Sequence, residues 1–342
     1  MRLLKSNPAA VHEAAEALRA GQLVAFPTET VYGLGADALN PRAVERIFRA
    51  KGRPSSHPLI VHVASLAAAK ALTAEWPDSA QALATAFWPG PLTLVLRRAD
   101  SVPDAVTGGQ GTVGLRWPAQ PTAQALLAAF AAVGSGAVAA PSANRFGGVS
   151  PTLAEHVQSS LEGRLQEGDV ILDDGSCDVG IESTIVDCTV DPPRVLRPGG
   201  LPREALSAVL RLAEAEAPEP SLPAPRVSGS LASHYAPRTP LRLVAEADLP
   251  AELAHWMSQP QPPKVLCWAR RLLPSHTPQL TQVLMPKTPQ ALAQQLYARL
   301  HAWDREGFDL LVIECPPREQ AWEAVRDRLA RAASADGESR TP

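Results

Sequence analysis

Residues 214–226, EAEAPEPSLPAPR, constrain the fold more than any other stretch, because four prolines and three glutamates crowd there with no apolar period. Proline fixes φ and removes a backbone donor, so such a run neither continues a helix nor joins a central strand. It reads as an extended, semi-stiff linker. The 342 residues are too many for one typical core, and a break here makes two domains. The expected organisation is a first domain over 1–212, a linker and loop over 213–239, a smaller domain over 240–335 and a polar tail over 336–342.

Before the break, helices and strands are both written in local signals. Asn7-Pro8 joins a capping side chain to a proline at the first helical position, and Val11, Ala14, Ala15 and Leu18 follow at helical spacing to Gly21. Asn40-Pro41 opens a second helix through Ala50, and Pro121 starts another. Strands are expected at 23–26, 59–63, 92–96, 113–116, 137–139, 170–172, 184–187 and 194–196. Thr152-Leu-Ala-Glu155 has capping-box form, and a helix is expected from Pro202 to about Ala213. With more strands than helices, this is an α/β domain with a mixed, twisted sheet. After the break, strands at 241–244, 265–267, 282–284 and 310–314 alternate with helices near 250–257, 288–304 and 319–333. That alternation predicts a small doubly wound, Rossmann-like α/β domain.

Charge and cysteines narrow the function. The 32 basic and 35 acidic side chains leave a net charge of −3, which does not grip nucleic acid through bulk electrostatics. Cys177, Cys188, Cys267 and Cys315 form no C-x-x-C pair and no zinc spacing with the eight histidines, which fits a reduced, cytoplasmic protein. No run has signal-peptide or membrane-span length. Standard nucleotide motifs are missing too. There is no G-x-x-x-x-G-K-[ST], and the G-x-G-x-x-A at Gly134 precedes a strand when it should follow one.

Four strings combine small, hydroxyl and cationic residues at turns: Pro27-Thr-Glu-Thr-Val-Tyr-Gly-Leu34, Lys51-Gly-Arg-Pro54, Pro141-Ser-Ala-Asn144 and Glu182-Ser-Thr-Ile-Val-Asp187. As a set they resemble the YrdC-domain family of threonylcarbamoyl-AMP synthases, from about residue 8 to 205 and again at His234-Tyr235-Ala-Pro237. The second domain resembles the extra C-terminal domain of the family's long members. The resemblance implies a YrdC-like first domain and a three-substrate reaction. L-threonine is carboxylated on its amine by bicarbonate or carbon dioxide, and the carbamate attacks the α-phosphorus of ATP. Magnesium is expected, and the product passes to a separate tRNA-modifying transferase, with at most weak tRNA binding by the chain itself.

The same resemblance implies the site residues. Lys51 and Arg53 are the catalytic cations; if the segment after the helix is extended, i and i+2 share a face and both can meet one anion. A basic helix end that complements the dipole is the plain alternative. Thr30, His62, Arg116 and Ser183 map to the threonine site, with Arg116 presenting a planar fork to the carboxylate. His62 is also a candidate for easing loss of the amine proton. Arg53, His57, Thr112, Ser142, Asn144, Ser150, Arg197 and Tyr235 map to ATP, although His57 stands where the family commonly has asparagine. Each also has a local use: Thr30 as a turn cap, His62 as a strand histidine, Ser142 and Asn144 as turn residues. The loop ending at Tyr235 is expected to act as a lid, with a plain domain linker as the alternative. Two other functions fit less well: an RNA-binding module, disfavoured by the charge, and another carbamoyl-adenylate enzyme.

Overall fold

The computed structural model describes residues 1–213, 224–229, 234–274 and 277–334. It divides into two compact units: 1–146 with 150–230, and 147–149 with 231–342. The stretches 214–223 and 230–233 of the expected linker and loop, and all of the expected polar tail, lie outside the described residues.

In the first unit the strands are β1 (Arg2–Lys5), β2 (Val24–Phe26), β3 (Gly33–Asp37), β4 (Ile60–Val63), β5 (Leu92–Arg97), β6 (Thr112–Arg116), β7 (Ala137–Ala139), β8 (Val170–Asp173), β9 (Thr184–Asp187) and β10 (Arg194–Arg197). They form one ten-stranded sheet in the order β1-β8-β2-β3-β7-β4-β6-β5-β9-β10. Its pairings are both parallel and antiparallel, so the sheet is mixed, as expected. Strands β1 and β3 were not expected. Gly33–Asp37 reads GLGAD, with no β-branched residue, and becomes a strand because β2 and β7 pair with it on either side.

Helix starts follow the local chemistry. Asn7 Oδ1 accepts from the Ala10 amide and Asn40 Oδ1 from the Arg42 and Ala43 amides, each with proline at the first helical position. The capping box at Thr152 does not form. The helix is Ala154–Ser160, and the Thr152 amide donates to His156 Nδ1. The helix after Pro202 is also shorter than expected, Arg203–Ser207.

Strand alternation sorts the side chains onto two faces. One face carries Ala25, Leu34, Ala36, Val61, Val63, Leu92, Leu94, Leu96, Val113, Leu115, Ala137 and Ala139, the floor of the main core. The other face is divided. Over β8, β2 and β7, Val170, Leu172, Val24, Phe26, Val138 and Ala140 pack beneath the helices Pro8–Arg19 and Pro121–Val133. Over β4, β6, β5 and β9, among the described residues, a small cluster covers the face: Val95, Ile185 and Val227, with Ile60 and Leu196.

The second unit has strands β11 (Leu241–Val244), β12 (Val265–Ala269), β13 (Leu280–Leu284) and β14 (Leu310–Glu314). All pairings are parallel, in the order β11-β14-β12-β13. The helix Leu249–Met257 packs with Val265, Cys267 and Val312, while Trp268, on the opposite face, meets Trp303 of the helix Pro289–Trp303 edge-on at 5.1 Å. Helices on both faces make this the expected doubly wound domain.

Candidate active site

The divided face brings distant residues into one row. His62 on β4 pairs in register with Arg116 on β6. Leu94 of β5 lies opposite Leu115, which sets Thr93 beside Arg116. Thr93 pairs with Ile185 of β9, and Ile185 with Arg197 of β10 across a bulge. Thus His62, Arg116, Thr93, Ile185 and Arg197 cross five strands on one side. Gly114 sits between them with a hydrogen where a Cβ would stand 3.4 Å from Thr93 Cγ2 and 3.6 Å from Ile60 Cγ1, which lowers the floor.

Arg116 is buried and already engaged. Its Nη1 donates to Thr30 Oγ1 at 2.8 Å and its Nε to the Gly90 carbonyl at 3.3 Å. Its Nη2 lies 2.8 Å from Glu29 Oε1, off the line of an N–H bond. The loop carrying Thr30 is fixed by a local turn: Thr28 Oγ1 accepts from the Thr30 and Val31 amides at 3.2 Å and donates to the Val31 carbonyl at 2.7 Å. His62 is buried on β4 with the Phe26 ring edge-on at 6.1 Å. Burial first, and the Arg116 charge second, lower its pKa to about 3. The imidazole is therefore neutral at physiological pH.

The cations of the K-x-R string take different positions from the extended arrangement expected. Lys51 ends the helix Pro41–Lys51, and Gly52 turns the chain in the left-handed region at φ 64°, where only glycine is unstrained. Lys51 Nζ donates to the Ser142 carbonyl at 2.6 Å and the Asn144 carbonyl at 2.5 Å. It thereby ties the K-x-R string to the S-x-N string. Burial, then the Arg53 charge, hold its pKa well below the ordinary lysine value. Arg53 departs beyond the turn, donating from Nη2 to the Pro58 carbonyl at 3.0 Å, with its guanidinium 5.5 Å from the Phe146 ring centroid. His57 lies against the same ring at 5.3 Å, and burial and the charges of Arg53 and Arg226 lower its pKa.

The last string supplies the far wall. Ser183 Oγ and Thr93 Oγ1 share a hydrogen bond of 2.8 Å, and Arg197 donates through Nη2 to the Ser183 carbonyl at 2.7 Å. Ser150, fully buried, donates to Glu182 Oε1 at 2.6 Å. Gly199 lets its chain segment pack against the 182–184 backbone: a Cβ there would lie 2.4 Å from the Glu182 carbonyl oxygen. Residues 224–229 reach the same place. Val227 packs on Val95 and Ile185, Arg197 Nη1 donates to the Ser228 carbonyl at 2.7 Å, and Arg53 Nη2 to Ser228 Oγ at 3.4 Å.

The first unit therefore gathers Thr30, Lys51, Arg53, His57, His62, Arg116, Ser142, Asn144, Ser150, Ser183 and Arg197 into linked clusters. Thr112 opens β6 on the same side, half-buried. Tyr235 belongs to the second unit. There it is buried at φ 62°, its ring stacked on Tyr297 at 5.7 Å and 5.0 Å from the Arg328 guanidinium. Glu29, Thr93, Glu182 and Ser228 were not singled out from sequence. Glu29 and Glu182 stand inside strings that were, but Thr93 lies in a plain apolar strand and carries no signal. Chemically, the site offers fixed cations and hydroxyls and no activated nucleophile, which suits transfer at phosphorus by positioning.

Known proteins share this architecture. A family model described as "Telomere recombination" matches residues 16–199, and one described as "Threonylcarbamoyl-AMP synthase, C-terminal domain" matches 201–334. A threonylcarbamoyl-AMP synthase of Pyrococcus abyssi is 39% identical over 93% of this chain and 92% of its own length. One of Bacillus subtilis is 37% identical over 96% and 94%. The crystal structure of P. abyssi Sua5 complexed with L-threonine superimposes with a TM-score of 0.84, at 36% identity, covering 97% of this chain and 98% of that one.

Proposed function

The chain belongs to the threonylcarbamoyl-AMP synthase family, and from that premise we propose that it joins L-threonine, bicarbonate or carbon dioxide, and ATP into threonylcarbamoyl-AMP, releasing pyrophosphate. The observation that carries this reading is the transverse row from His62 through Arg116 and Thr93 to Arg197, with the cations of the K-x-R string beside it. Amino acid and triphosphate both need positive charge, and the half-face supplies it twice.

Arg116 takes the threonine carboxylate in two parallel hydrogen bonds. Thr30, neutral His62 and Ser183 provide partners for the threonine hydroxyl. A site built to pair that hydroxyl rejects an analogue lacking it far better than an apolar pocket does. Arg53 and Arg197 bind the triphosphate, and their guanidiniums hold developing charge without reorganising. Lys51 shapes the Ser142–Asn144 turn from beneath, so its loss would misplace Ser142 as well as remove a charge. His57, Thr112, Ser142, Asn144 and Ser150 complete the nucleotide contacts. The carbamate oxygen bonds to the α-phosphorus as the bond to pyrophosphate breaks, which makes the chain a nucleotidyltransferase.

Magnesium fits as part of the nucleotide substrate. Among the described residues no group of three or more His, Cys, Asp or Glu side chains could hold a metal ion, and Mg²⁺ is commonly held through phosphates and water with few carboxylates. The product is a labile mixed anhydride, so a transferase that places it on tRNA is the consuming partner. Among the described residues no helix is long and apolar enough to cross a membrane.

The test is pyrophosphate release from protein, MgATP, bicarbonate and L-threonine, with each component omitted in turn. Release that needs all of them is expected. Release independent of threonine would overturn the reading.

A further inference from the structure

Glu29, beside Arg116, is a buried charged group that the proposed reaction leaves without a task. Its backbone is pinned, since the Val179 amide donates to its carbonyl at 2.8 Å and the Thr28 turn holds its neighbour. Its side chain is 9% exposed, and neither carboxylate oxygen accepts a hydrogen bond among the described residues. The Arg116 guanidinium lies 2.8 Å away but spends its aligned N–H groups on Thr30 and Gly90. A buried carboxylate with open acceptor sites is costly, and such groups are satisfied wherever a donor can reach them.

Resting on the threonine reading above, we propose that Glu29 binds the substrate's α-ammonium group and takes its proton. An α-amino acid zwitterion carries a carboxylate and an ammonium on one carbon, which matches a guanidinium and a carboxylate in contact. The ligand's carboxylate replaces Glu29 on Arg116, and its ammonium donates to the freed oxygens. One N–H bond then breaks and an O–H bond forms on Glu29. The nitrogen lone pair attacks carbon dioxide, forming the N–C bond while one C=O pair moves onto oxygen. A second proton leaves nitrogen for solvent, giving the carbamate.

Calorimetric titration separates this from a structural role. Wild type and Glu29→Gln are titrated with L-threonine and with the 2,3-dihydroxybutanoate in which a hydroxyl replaces the amine. We expect Glu29→Gln to weaken threonine by roughly tenfold to a hundredfold, as for a lost hydrogen bond to a charged group, while the hydroxy acid changes by less than about twofold. Glu29→Asp, which keeps the charge on a shorter arm, falls between. If Glu29→Gln does not fold, the aspartate variant still has to lose more threonine than hydroxy-acid affinity. Equal losses for both ligands, or no loss for threonine, overturn the assignment. Wild type that binds neither ligand removes the threonine reading itself, and a threonine-binding wild type with an unaffected variant removes only Glu29.

Discussion

The two halves of one sheet face obey the same alternation and end in opposite chemistry. Over β8, β2 and β7 the inward positions are Val170, Leu172, Val24, Phe26, Val138 and Ala140, sealed by two helices. Over β4, β6, β5 and β10 the equivalent positions are Ile60, His62, Thr112, Gly114, Arg116, Thr93, Val95 and Arg197, with the small Val227 cluster above them among the described residues. The border runs between Phe26 and His62. Burying a polar group is costly unless it is paired, so the polar half spends its side chains on one another, as in Thr93–Ser183 and Arg116–Thr30. The sealed half is packed by apolar side chains and the polar half by polar side chains paired with one another.

That division can be broken first in the sealed half. Phe130 is fully buried there, and Phe130→Ala should cost about 3–5 kcal/mol of stability by urea melting. The threonine dependence of the surviving folded enzyme should hardly change. A changed threonine KM would blur the two halves.

The polar half contributes a pH signature. The folded pKa of His62 lies below its unfolded value near 6.5, so folding favours the neutral ring. The stability this gives is complete above pH 6.5 and is lost as pH falls toward 3. At pH 4.5 the loss should reach roughly 2–3 kcal/mol, on the scale of 1.36 kcal/mol per unit. His62→Gln should flatten that part of the stability curve, as followed by thermal melting from pH 7 to 4.5; an unaltered slope would remove His62 as its cause.

Arg116→Ala should reduce threonine-dependent turnover by roughly 1.5–3 kcal/mol, most of it in kcat/KM for threonine. Equal KM values for both forms would remove Arg116 from the threonine site. Thr93→Val, which deletes one hydroxyl and keeps the shape, should cost about 1 kcal/mol in stability through Ser183. A neutral result would mean that Ser183 is oriented by Arg197 alone.

The sequence disclosed the parts of this molecule that depend on near neighbours. Asn7, Asn40 and Pro121 start helices through contacts within four residues, and each start was legible. Thr152 failed because His156, one turn on, takes its amide before the capping box can form. The GLGAD strand was hidden because pairing, and no propensity, makes it a strand. The strings of the candidate site were legible, yet their geometry was not. The extended reading of Lys51 and Arg53 missed the left-handed Gly52 between them. The row from His62 to Arg197 depends on strand order and register, which no local pattern carries, and so Thr93 looked like any strand threonine.

Amide chemical shifts on titration with L-threonine test the division most directly. The account predicts changes concentrated at Glu29, Thr30, His62, Thr93, Gly114 and Arg116, with Val24, Phe130, Val170 and Leu172 unmoved. Shifts centred on the sealed half, or none at saturating threonine, would contradict it.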